Sequence, residues 1–230
     1  MEYEFTMILF LIAVIFTFIA QGKVSSNFKK YSKIRNRRGL TGAEAARRVL
    51  DANDLRDVNI EQVSGNLTDH YDPRKRVLRL SQTVYGVDSV AAVSVACHEA
   101  GHAIQHAESY TPLKIRNSIV PVVTIASKFS WLLIIIGLAM FYAGNYMGEM
   151  IFNIGVIFFV AVIVFHGITL PVEFNASSRA LDQMELTGVI DTQEEKGAKK
   201  VLSAAAMTYV AALSVAIANL LRVLAMRGRR

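Results

Sequence analysis

Three long stretches of this 230-residue chain carry almost no charge, and they restrict what it can fold into more than any other feature. Phe5 to Ala20 has no charged residue, Ser118 to Val172 has only Lys128 and Glu149, and Val201 to Leu221 has none. Runs of this length match the roughly 20 apolar residues that a helix needs to cross a bilayer. Inside lipid the backbone must satisfy its own hydrogen bonds, so such runs form helices. With 53% hydrophobic residues gathered into these blocks, the chain reads as a polytopic membrane protein with polar segments between spans.

Charge gives the expected orientation. Glu2 and Glu4 precede the first run, and Lys23, Lys29, Lys30, Lys33, Arg35, Arg37 and Arg38 follow it. A cleaved signal peptide carries its positive charge ahead of the apolar core, so residues 3–22 are expected to be a retained span. The positive-inside rule puts the basic side in the cytoplasm and the acidic N-terminus outside. Residues 118–172 read as a transmembrane hairpin with its tip near 144–149, where Gly144, Asn145 and Gly148 signal a turn. Residues 201–225 are expected to be a further span or a membrane-packed helix. Basic residues flank that run at both ends, Lys199 and Lys200 before it and Arg222, Arg227, Arg229 and Arg230 after it, and leave its direction open. The net charge of +6 thus lies beside apolar runs, where it orients spans and meets anionic lipid head groups. No nucleic-acid partner is expected. The single cysteine, Cys97, precludes an intrachain disulfide and reads as a small core residue.

Two polar segments remain, 23–117 and 173–200. Thr41 to Asn53 reads as a helix, with Thr41 as cap and Glu44 three residues on. Val58 to Gly65 and Arg76 to Ser81 read as strands, Asp69 to Pro73 as a turn, and Ser89 to His106 as a long helix. Helical patterns recur over Glu173 to Met184 and from Thr192. The larger segment is therefore a small α+β domain, expected to be cytoplasmic.

The chemistry concentrates in His98-Glu99-Ala100-Gly101-His102. Histidines four apart on a helix share a face about 6 Å apart along the axis, so both imidazoles can reach one zinc ion. Glu99 is placed to act as general base toward a metal-activated water. Between Asp88 and Glu108 the only charge is Glu99, so this helix is apolar and its buried polar groups need a partner. A catalytic zinc needs a third protein ligand and an open position. His106 is about 12 Å from His98 along a regular helix, too far to share the ion. Glu173 follows the hairpin, which returns it to the side of His98 and His102, and it is the expected third ligand. His166 lies near the cytoplasmic end of a span and could face the bundle interior.

The segments HEAGHAIQH, LTDHYDPRKRVLRLS and LPVEFNASSRAL resemble the bacterial membrane-bound neutral zinc metallopeptidases of the YugP type, over nearly the whole chain. The arrangement is more distantly similar to the CAAX-processing and heat-shock membrane proteases. The resemblance implies an α-helical polytopic membrane protein with a small zincin-like metallopeptidase domain. It implies one Zn2+ per chain held by His98, His102 and Glu173, with Glu99 as the catalytic base. In the distant relatives an aspartate four residues after the glutamate supports a zinc-binding histidine; here that position is Ser177, whose hydroxyl can still hydrogen-bond. His70 and Tyr71 are candidate donors to an oxyanion, and Arg179 is a candidate for a substrate carbonyl or an internal carboxylate. Arg76 to Ser81 could pair with an extended peptide as an edge strand. The expected activity is endopeptidase cleavage of membrane or membrane-proximal proteins at the bacterial plasma membrane, facing the cytoplasm. The partners would be a peptide or membrane-protein substrate and the lipid bilayer, with a homo-oligomer or regulatory membrane partner left open. The alternative is a non-proteolytic scaffold stabilised by zinc.

Overall fold

The computed structural model describes residues 2–228, so Arg229 and Arg230 of the C-terminal basic flank lie outside the described residues. The elements in chain order are α1 (Glu2–Tyr31), α2 (Gly42–Ala52), β1 (Asn59–Val63), β2 (His70–Asp72), β3 (Val77–Ser81), α3 (Gln82–Tyr85), α4 (Val90–Ala107), α5 (Thr111–Tyr142), α6 (Met147–Leu186) and α7 (Thr192–Arg227). Among the described residues four helices, α1, α5, α6 and α7, are long and apolar enough to cross a membrane. This is an α-helical polytopic membrane protein carrying a small α+β domain. The described residues divide into two units, those up to Ile19, Lys114–Leu170 and those from Thr208 onward in one, and Ala20–Leu113 and Pro171–Met207 in the other.

The first unit is made of apolar helix segments. Phe5, Phe18, Val122, Ile135 and Ile157 lie exposed on their surface, as expected of side chains whose solvent is lipid. Lipid tails are as apolar as leucine, so these helices associate through close packing instead of exclusion from water. Gly137 shows how close. A Cβ there would lie 2.3 Å from the Phe152 backbone nitrogen, so α5 and α6 touch backbone to backbone. Ile134, Phe152, Phe159 and Val223 form the buried centre of the unit. The hairpin turns at residues 143–146, with Gly144 at φ +79°. Gly148 lies in α6 against the Phe141 backbone, so it is a packing position and the tip is shorter than 144–149. The contacts also decide the direction of the last helix. Arg227 pairs with Glu149 and donates to Asn153 Oδ1 (3.0 Å), which brings the C-terminal end of α7 beside the hairpin tip.

The second unit packs α2 against α4 over a three-stranded sheet of order β1-β3-β2. β1 runs parallel to β3 and β2 antiparallel to it, with Tyr71 opposite Leu78. α2 starts on a full capping box: the Glu44 N–H donates to Thr41 Oγ1 and the Thr41 N–H to Glu44 Oε2. Asp191 and Glu194 cap α7 in the same reciprocal way. The core joins Val49 and Leu50 of α2, Leu78 and Leu80 of β3, Val93, Ala96, Cys97 and Ala100 of α4, and Ala180 and Met184 of α6.

Several expectations change. Arg76–Ser81 is not an edge. Val77, Leu78, Leu80 and Ser81 of β3 are all buried, because the strand is covered on both faces and flanked on both sides, so it has no free edge for a peptide. The expected turn at Asp69–Pro73 contains β2. The chain reverses after it, at residues 73–76, where Asp72 Oδ1 accepts from the Arg74 and Lys75 N–H groups. α1 continues as helix to Tyr31, beyond residue 22, because Tyr31 packs on Val90, Ala91 and Val201. Glu173–Met184 is not a separate helix. It continues α6 through Pro171, and the segment from Thr192 likewise runs unbroken into the last apolar run.

Cys97 is fully buried, and burial pushes its thiol well above the usual range. The thiolate is the reactive form. Maleimide labelling of the detergent-solubilised protein is therefore expected to be negligible while folded and complete after denaturation. Rapid labelling of the folded protein would place Cys97 outside the core.

Candidate metal centre

α4 begins at Ser89, whose Oγ accepts from the Ala92 N–H, and continues without interruption to Ala107. Its small residues serve a purpose at Gly101. A Cβ at this position would lie 2.6 Å from the Ala176 carbonyl oxygen of α6. The two helices are thus in backbone contact between the two histidines of the motif. The contact brings Glu173, three residues before Ala176, across to α4.

The result is a compact donor set. Glu173 Oε2 lies 3.3 Å from His98 Nε2 and 3.6 Å from His102 Nε2. The three potential ligand atoms all fall within 4.8 Å of one another. Glu173 is only 3% exposed, and both imidazoles face its carboxylate. Two neutral imidazole nitrogens and one carboxylate around a common point suit zinc, which favours such ligands at about 2.0–2.2 Å. A buried carboxylate facing two imidazoles also needs positive charge, so these residues fit the ion. Burial alone would disfavour the His102 imidazolium, but the hydrogen bond with Glu173 and the Glu99 and Glu173 charges outweigh it and raise its pKa.

Each imidazole is held from behind. His98 Nδ1 lies 3.2 Å from Ser177 Oγ, one turn beyond Glu173 on α6. His102 Nδ1 lies 3.0 Å from Gln105 Oε1. Glu99 is outside the donor set. It is largely buried, and its Oε2 accepts from the Tyr71 N–H at 3.1 Å, so strand β2 borders the site.

The other expected residues are placed as follows. His70 is exposed, with Nδ1 2.9 Å from the Thr68 carbonyl oxygen, and takes no part in the cluster. The Tyr71 hydroxyl pairs with His106 Nδ1 at 2.9 Å, and burial raises its pKa, so the phenol stays neutral. Arg179 pairs with Glu108 at 2.7 Å and donates to Asn175 at 2.8 Å, so its partner is an internal carboxylate. His166 lies seven residues before Glu173 along α6, outside the donor set. The sequence reading omitted Gln105 and Asn175. The available signal was positional, since Gln105 sits three residues beyond His102 on the same helix face.

Comparison with known proteins shows the family. Residues 6–228 match the family described as "Putative neutral zinc metallopeptidase". The "Putative membrane protease YugP" of Bacillus subtilis (strain 168) is 53% identical over 207 residues, which cover 90% of this chain and 89% of that protein. No solved structure matches the chain.

Two outcomes are expected of this centre. Gly101→Ala cannot be absorbed by a flexible side chain, because the obstacle is the Ala176 backbone. Overpacking of this kind costs about 1–3 kcal/mol, and here it displaces Glu173 from the histidines. Equilibrium dialysis should show reduced zinc occupancy, and full occupancy would mean that the close contact is dispensable. The second concerns pH. Zinc needs neutral imidazoles, and the raised His102 pKa keeps that ring protonated to a higher pH than a free imidazole. Apparent affinity should therefore be full above that pKa and fall as pH drops through it, by about tenfold per pH unit for each proton displaced. Chelator competition at pH 8 and pH 6 checks this, and equal affinities would contradict it.

Proposed function

The chain belongs to the neutral zinc metallopeptidase family, and from that premise we propose that it is a membrane-embedded endopeptidase with Glu99 as its general base. The observation that carries the reading is the convergence of His98, His102 and Glu173 within 4.8 Å, with the Glu99 carboxylate beside them and outside the set. One zinc ion held by these three residues would supply a Lewis acid for the scissile carbonyl and lower the pKa of water toward neutrality.

The remaining steps belong to the chain's own residues. The Tyr71 N–H holds one Glu99 oxygen, which fixes the carboxylate near the donor set. Glu99 takes a proton from the attacking water as the new C–O bond forms. It returns the proton to the amide nitrogen as the C–N bond breaks, so the products are an acid and an amine. Because β2 pairs with only one strand, it is the strand edge that borders Glu99. An extended peptide could align along it with its scissile bond toward the metal. Of the two expected oxyanion donors, the Tyr71 phenol is neutral and pairs with His106, and His70 is exposed.

The substrate is proposed to be a membrane protein or a membrane-proximal peptide. Glu173 is carried on the same helix as a candidate span, directly after its apolar stretch, which supports that choice. The basic residues 23–38 support a cytoplasmic face at the bacterial plasma membrane.

The test compares the detergent-purified wild type with Glu99→Gln. Both should bind one zinc, and the variant should cleave casein or a membrane-peptide panel about 10²–10⁴-fold more slowly. Equal cleavage by the variant would remove Glu99 from the reaction. Zinc in both with cleavage in neither would favour a zinc-stabilised scaffold.

A further inference from the structure

The polar residues behind His102 form a chain in which every hydrogen-bond direction is determined. At its outer end Arg179 Nη1 lies 2.7 Å from the exposed Glu108 carboxylate, with the guanidinium against the Tyr110 ring. Arg179 Nε donates to Asn175 Oδ1 at 2.8 Å. A guanidinium has donors only, so the Asn175 atom facing it must be the carbonyl oxygen. The same oxygen receives Gln105 Nε2 at 2.8 Å. Gln105 Nε2 also reaches the Val172 carbonyl oxygen at 2.9 Å, and a backbone carbonyl only accepts. Two acceptors therefore fix the Gln105 NH2 group on the α6 side. Its Oε1 is left facing His102 Nδ1 at 3.0 Å.

An amide oxygen cannot donate, so in the neutral imidazole the proton must sit on Nδ1. The lone pair is then on Nε2, the nitrogen that faces Glu173. His98 differs. Its Nδ1 faces the Ser177 hydroxyl, which can donate or accept, and this leaves its tautomer undetermined. Gln105 is 0% exposed, so no water can replace it without rearrangement.

Resting on the metal-site reading above, we propose that Gln105 is the positioning residue of the centre: oriented by Asn175 and Arg179, it holds His102 in the Nδ1–H tautomer that presents Nε2 to the metal. Arg179 acts in this chain as the polar anchor that forbids a flip of Asn175. A neutral amide partner also makes His102 a weaker base than a carboxylate partner would. The chain runs from a surface carboxylate through the half-buried Arg179 and Asn175 to the fully buried Gln105 and so to His102.

The test is zinc affinity by chelator competition at pH 8 on full-length protein in detergent, for wild type, Gln105→Met, Asn175→Leu, Asn175→Asp and His102→Ala. Gln105→Met keeps the volume and removes the acceptor, and its zinc affinity should fall roughly 10–100-fold. Asn175→Leu should fall comparably. Asn175→Asp keeps an acceptor facing both Gln105 and Arg179 and should stay within about threefold of wild type, a pattern that loss of packing alone would not produce. Thermal unfolding of the zinc-free forms separates folding from affinity. If Gln105→Met does not fold, the two Asn175 variants decide. Wild-type affinity in Gln105→Met, or in Asn175→Leu, would overturn the proposal. If wild type holds no more zinc than His102→Ala, the metal site itself is wrong and the inference falls with it.

Discussion

The centre depends on one contact, the approach of α4 to α6 at Gly101 and Ala176. Two helices that meet through ordinary side chains lie 8–10 Å apart, and a Cβ at Gly101 would lie 2.6 Å from the Ala176 carbonyl oxygen, so any larger residue here would force α4 and α6 apart. A glycine opposite an alanine removes the spacer. Glu173 then reaches both imidazoles, Ser177 reaches His98 and the Val172 carbonyl reaches Gln105, all from less than three turns of α6. The candidate metal-binding residues are thus placed by a residue that has no side chain.

The same device serves a different solvent in the apolar unit. There Gly137 lets α5 and α6 touch without exclusion from water to drive them together. In the polar unit ordinary hydrophobic burial does the work, with Leu50, Leu78, Leu80 and Val93 under a short sheet. The polar groups at the metal centre are buried in this second environment, where every unpaired donor or acceptor is costly. Each imidazole is accordingly held on the nitrogen that faces away from Glu173.

Much of this was legible in the sequence. The apolar runs, the capping box at Thr41 and Glu44, and the helix carrying His98, Glu99 and His102 follow from local periodicity and chemistry. Glu173 was reachable because hairpin topology puts it on the same side as the histidines. Gln105 and Asn175 were not, because a buried amide and a solvent-facing one look alike in a sequence. The place of Arg76–Ser81 in the sheet was also hidden. A strand's neighbours are set by segments distant along the chain, and here a three-residue strand that resembled a turn took the edge.

By itself, then, the sequence determined the class of the protein and singled out the candidate metal ligands, since hydropathy, charge and a four-residue spacing on a helix are local properties and hairpin topology supplies Glu173. Tertiary structure alone decided three things. It set the direction of α7, through Arg227 and Glu149 at the hairpin tip. It gave the edge beside Glu99 to β2. It also assembled the hydrogen-bond chain behind His102. Each of these joins residues far apart along the chain whose types are individually common, and only packing brings them within a few ångströms.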